Sequence, residues 1–194
     1  VSLNTLVAYL RGKSLPLWAR KTFTMALTAG VAEYEIGVGK TLNTPYPLKM
    51  IQAYSEGIIT NSRIPIDIIS DREYNLMPWP NTAAGQPVQL AYQPKVNSGV
   101  VKIWPAPTAQ IASQYKITLI YQRPFEYFSA GTDTLDMPEE WYLPVIYKLA
   151  VLLAPEWGVP LEDRRMLMAE AKEYLDMIDG FGQEEASIYF TPNR

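Results

Sequence analysis

The chain has neither cysteine nor histidine among its 194 residues. Without cysteine there are no disulfides, thiolate zinc sites or sulfur nucleophiles. Without histidine it lacks the commonest general base, the usual serine-protease triad and the residue on which most transition-metal sites depend. An enzyme would have to work with carboxylates, lysine, tyrosine or hard-metal chemistry. The reading is therefore of a non-enzyme with no catalytic, cofactor or metal residues. Positive charge is also scarce: 17 Lys and Arg stand against 20 Asp and Glu, a net charge of −3. No basic run exceeds a pair such as Arg164–Arg165. A surface that grips DNA needs clustered positive charge to displace counterions from phosphates. A protein that lets DNA pass does not. No basic region followed by a continuous apolar segment opens the chain. The longest apolar run, Leu143–Pro155, is broken by Lys148 and two prolines and is too short to span a bilayer. A soluble protein is expected, and the absence of an initiator Met before Val1 leads us to expect that the natural beginning is missing.

Hydrophobic residues make up 48% of the chain and charged ones 19%, the balance of a globular protein. The length suits one domain, or one domain with an appendage. Sixteen prolines and thirteen tyrosines favour short strands and turns over a purely helical bundle. Residues 2–13 read as a helix capped by Ser2, with Leu3, Leu6, Val7 and Leu10 on one face.

The period then changes to two. "TFTMALT" alternates Phe23, Met25 and Leu27 against threonines and alanine, and strands follow at "AGVAEYEIG", "LKMIQAY", "RIPIDII", "QPVQLAYQ", "GVVKIWP" and "QYKITLIYQ". Ile64, Ile66 and Ile68 are expected on one covered side, as are Tyr115, Ile117, Leu119 and Tyr121. Asn97-Ser98-Gly99 reads as a hairpin turn, and Ser70 with Glu73 as the capping box of a short helix. A last helix is expected from about Pro160 to Ile178, with the stripe Leu167, Ala171, Tyr174, Leu175 and Ile178, ended by Gly180 and Gly182.

The order helix, six or seven strands, two helices predicts an α+β protein. An antiparallel β-sandwich or small barrel is inserted between an N-terminal helix and two C-terminal helices that pack as a bundle. The expected boundaries are 1–21 for the N-terminal helix, 22–128 for the β-domain, 129–182 for the C-terminal helices and 183–194 for an extended tail.

Asp136, Glu139 and Glu140 beside Trp141 form the one acidic knot. Glycoside chemistry needs two carboxylates facing each other across a bond, roughly 5–9 Å apart. Adjacent glutamates on a helix diverge by about 100°. A helix start explains the knot better, with Asp136 near the cap, Pro138 at the first helical position and Glu139 and Glu140 where the helix dipole favours negative charge. Pro144, inside the same predicted helix, removes a backbone bond, and a bend is expected there. Asp133 and Asp136 are too few ligands for a calcium loop, and "GVGK" at 37–40 lacks the spacing of a phosphate-binding loop. The five tryptophans read as packing residues rather than stacking platforms. Past the last helix, Ile188, Tyr189 and Phe190 form a detached apolar cluster, able to fold back on its own domain or to reach a neighbouring subunit.

An ordered set of segments carries a family resemblance. They are "LNTLVAYLRGKSLPLWARKTFTMALTAGVAEYEIG", "IPIDIISDREYNLMP", "GVVKIWPAP", "ITLIYQRPFEYF" and "DTLDMPEEWYLPVIYKLAVLLAPEWGVP". The chain resembles, over about residues 3–178, the head-to-tail adaptor proteins of tailed bacteriophages (head completion, tail tubular or portal-associated). The resemblance implies terminal helices bundled beside a β-domain and a ring, usually of twelve copies, beneath the portal protein. Such a ring extends the DNA channel, retains packaged double-stranded DNA without reading its sequence and docks the tail or nozzle proteins. It also implies a place in the virion neck, assembly in the host cytoplasm, and a further helix ahead of residues 2–13. Ile188, Tyr189 and Phe190 are then candidates for gripping the portal or the next subunit. The competing readings are a β-sandwich module that recognises glycans through exposed aromatics, and a hydrolase that uses only carboxylates.

Overall fold

The computed structural model describes residues 2–12, 19–77, 83–124 and 137–181. The chain divides into two compact units, a helical one drawn from both ends (Val1–Ala19 with Phe125–Arg194) and a β unit, Arg20–Pro124.

The β unit contains β1 (Arg20–Ala26), β2 (Glu33–Gly37), β3 (Leu42–Asn43), β4 (Lys49–Gly57) and β5 (Arg63–Ile69). After helix α2 (Asp71–Asn75) come β6 (Ala84–Gly85), β7 (Gln89–Lys95), β8 (Ser98–Trp104) and β9 (Ala106–Pro107). Helix α3 (Ala109–Gln114) leads into β10 (Tyr115–Gln122). Eight strands form one sheet in the order β1-β10-β4-β5-β7-β8-β2-β3, and β6 and β9 make a small parallel pair.

The strand that bends this sheet on itself is β5. Arg63–Ile66 pair antiparallel with β4, and Asp67–Ile69 pair parallel with β7. The alternating residues of both halves meet in one core: Met25, Tyr34, Ile36, Met50, Ala53, Ile66, Leu90, Val101, Ile103, Ile117, Leu119 and Tyr121. The result is a nearly closed sheet with its apolar face inside, in an α+β chain. On β5 only Ile66 is buried; Ile64 is half-buried and Ile68 exposed, because the strand exchanges partners between Ile66 and Asp67. The β7–β8 hairpin turns at Val96 and Asn97, with Lys95 opposite Ser98, one residue ahead of the expected turn. Asn97 takes the positive φ of 58° that the tight turn requires.

Of the expected devices, the capping box of α2 is present. The Ser70 hydroxyl accepts from the Glu73 N–H, and the Ser70 N–H donates to the Glu73 carboxylate at 2.8 Å. This pair of bonds holds the Glu73 carboxyl below its usual range.

The helical unit holds α1 (Ser2–Gly12), a 3-10 turn at Glu139–Trp141, α4 (Tyr142–Leu153) and α5 (Leu161–Phe181). The predicted stripe on α1 is covered: Leu6, Val7 and Leu10 pack with Ala19 and Val145, flanked by Leu3, Met137 and Leu149. On α5, Ala171 and Leu175 are buried, and the Tyr174 ring lies 4.8 Å from that of Tyr147 on α4. Gly158 turns the chain between the two helices at φ +65°, a conformation that costs glycine little. The last helix is longer than expected. It runs through Gly180 to Phe181, while Gly182 lies outside the described residues.

Candidate assembly surface

Lys148 is the single charged residue of α4. A helix apolar on every side belongs in an interior, yet α4 is covered on one side only. Pro144 and Val145 are buried. Lys148 extends its ammonium over the Tyr9 ring of α1, 5.2 Å from the centroid, and Tyr147 faces Tyr174. The opposite side carries Tyr142, Leu143, Ile146, Ala150 and Leu153, which at 3.6 residues per turn fall within an arc of about 100°; Tyr142, Ala150 and Leu153 are half-buried there and Leu143 and Ile146 exposed. Leu143 is 46% exposed and Ile146 58%. Just past the helix, Trp157 is 79% exposed. On α5, Met166 and Met177 are both exposed and lie almost in line, eleven residues apart. Methionine adapts readily to a partner's shape. An uncharged strip of this kind on a solvent-facing helix is a candidate contact surface.

The 3-10 turn accounts for two residues of the acidic knot. Glu139 and Glu140 are side by side and exposed in that turn, and Trp141, its last residue, is buried. Pro138 is the residue ahead of the turn and makes no side-chain capping bond. Asp136 lies outside the described residues, as do Ile188, Tyr189 and Phe190. Pro144 is the third residue of α4, within the first turn, where a helical N–H has no intrahelical partner to lose. In the sequence one helix runs through the turn, which makes Pro144 interior. The exposed side of α4 leaves no signal there, because an apolar helix does not declare which of its sides is covered.

No group of three or more acidic side chains able to hold a metal occurs among the described residues. Among them, too, no helix is long and apolar enough to cross a membrane. Of the tryptophans described, Trp141 is buried, Trp104 half-buried and Trp157 exposed, so they offer no paired platform for a sugar.

Several cations of the β unit already have acidic partners. Lys102 meets Asp71 at 2.7 Å and Lys40 meets Glu35 at 3.1 Å. Lys116 and Arg63 share Glu56 at 3.1 and 3.4 Å, and Lys116 foremost holds that carboxyl below its usual range. Arg63 also lies over the Tyr54 ring at 4.9 Å. Charges neutralised in place do not add up to a phosphate-gripping patch.

The model of the SU10 adaptor protein family matches residues 2–194. The chain belongs to the SU10 adaptor protein family. No curated protein matches it. Membership makes it a phage structural adaptor, in keeping with the head-to-tail resemblance of its segments and with a non-enzymatic role.

Proposed function

We propose that the protein is a subunit of a closed ring, of about twelve copies, seated between the portal and the tail in the virion neck. The observation that carries this reading is the uncharged outer side of α4, Leu143 and Ile146 above all. It is too apolar to remain in water and lies on a chain of an adaptor family. In the ring it packs against the neighbouring copy in a head-to-tail contact that repeats until the circle closes. The portal sits above and tail or nozzle proteins below. Double-stranded DNA passes through without sequence-specific contacts, as the mild negative charge and paired cations favour. The Ile188–Phe190 tail cluster serves these subunit or portal contacts. Assembly takes place in the host cytoplasm.

A double change, Leu143→Glu with Ile146→Glu, tests the reading. Burying unpaired carboxylates at a subunit contact costs several kcal/mol. We expect ring formation, followed by native mass spectrometry, to weaken at least a hundred-fold while far-ultraviolet circular dichroism stays that of the parent. A variant that assembles as before would remove α4 from the interface.

A further inference from the structure

We propose that in the assembled adaptor β1 receives an added strand, residues 187–191 of a second copy, laid parallel along its open edge. The inference rests on the assembly reading above and extends it to the β unit. β1 lies at one end of the eight-stranded sheet and, among the described residues, pairs with β10 alone.

An edge strand offers a row of N–H and C=O groups to any extended chain that reaches it, and proteins usually blunt such edges with proline, bulges or inward charges. β1 lacks proline and bulges, and its one charge on the core-side face, Lys21, stands ahead of Phe23 and Met25 near the start of the strand. Its seven residues contain no proline, and their register with β10 runs from Arg20 to Ala26 without a shift. The one irregularity of β10 falls on its β4 side, between Ile120 and Tyr121. Charge is confined to Arg20 and Lys21 at the start. From Thr22 onward the strand alternates, with Met25 buried and Phe23 packed on the core, and Thr22 and Thr24 exposed.

The chain carries a segment of matching pattern beyond α5. "SIYFT" at 187–191 alternates polar and apolar residues, Ile188 and Phe190 against Ser187, Tyr189 and Thr191. Laid parallel to β1 with Ser187 level with Thr22, it sets Ile188 and Phe190 beside Phe23 and Met25. The same register puts Glu185 level with Arg20, and Glu184 just before it, so opposite charges meet at one end. Pro192, which cannot donate a ladder bond, falls one residue past Ala26, where β1 stops. Main-chain bonds along the edge supply affinity and the alternate side chains supply register, the usual logic of strand addition. A tail given to one neighbour and an edge offered to the other make a head-to-tail contact that a ring can close.

The test uses the full-length chain with Ile188→Pro and Phe190→Pro, whose own tail cannot pair, titrated with a synthetic peptide of residues 183–194. Hydrogen exchange should slow at least ten-fold at alternate amides of β1 when the peptide saturates. Protection on α4 instead, or nowhere, overturns the proposal. A second measurement asks which copy donates, exploiting a chain without cysteine. Full-length Thr22→Cys and Ser187→Cys chains are mixed and oxidised, with Lys172→Cys on α5 replacing Thr22→Cys as control. A covalent dimer with Thr22→Cys and not with the control is expected; equal yields, or none while both chains assemble normally, overturn it. The peptide arm needs no ring, so a failure here is distinguishable from failure of the assembly reading.

Discussion

Tyr92 shows how one side chain ties the β unit together. Its hydroxyl donates to the Pro47 carbonyl at 2.6 Å, and Gly99 on β8 leaves the space its ring occupies, since a Cβ there would run into it. Gly99→Ala must displace a ring whose far end is already pinned, and we expect a loss of about 1–3 kcal/mol in urea unfolding. Tyr92→Phe strands the Pro47 carbonyl and should cost about 1–3 kcal/mol. Burial, foremost, pushes the Tyr92 hydroxyl from 10.0 up to about 12. A raised value means the folded state holds the proton more tightly. The contribution is therefore complete below pH 10 and is lost as pH rises towards 12. Spectrophotometric titration should find one late-ionising tyrosine fewer in Tyr92→Phe than in the parent; unchanged alkaline stability in that variant would contradict this account.

Little of this was readable in sequence, since Tyr92 and Gly99 meet across a hairpin only once its register is set. Lys102 escaped notice for the same reason. Between Val101 and Ile103, it sits almost buried against Asp71 and 5.5 Å from the Tyr74 ring centroid.

At the scale of the element, local patterns served well where a local cause determines the outcome. The stripe of α1, the seven longer strands and the capping box of α2 all follow from period and spacing. For that box the structure predicts that Ser70→Ala costs about 1 kcal/mol, measurable by chemical denaturation. Glu73, with its carboxyl held low by Ser70, adds stability present above the ordinary carboxylate range and lost as pH falls through its lowered value. The Ser70→Ala variant should lose part of that acid-dependent step. The two-residue strands β3, β6 and β9 and the single turn and a half of α3 left no such signature. Too short to show a period, they exist because neighbours supply their bonds. The parallel pairing of β5 with β7 and the partner exchange that exposes Ile68 are also long-range outcomes. The 3-10 turn at Glu139–Trp141 divides what read as one helix and brings Pro144 into a first turn, where proline costs little.

Among the described residues of the whole molecule, two candidate contact surfaces stand out, the outer side of α4 on the helical unit and the β1 edge on the β unit. The absence of histidine and cysteine turns the reading away from chemistry, and the ordered segments point to the adaptor family without the fold. The contacts of the proposed ring are not legible in the sequence, because an interface depends on which apolar residues folding leaves outside. The two surfaces make separable predictions. Glutamates on α4 should abolish assembly, whereas blocking β1 should weaken the ring without unfolding either unit.

The most direct test of the adaptor reading is imaging of the purified chain bound to the portal of its own phage by cryo-electron microscopy. A closed ring of about twelve copies on the tail-facing side of the portal, with α4 packed between neighbours, is the predicted result. A monomer that leaves the portal bare, or a ring whose neighbours touch nowhere near Leu143 and Ile146, would contradict it.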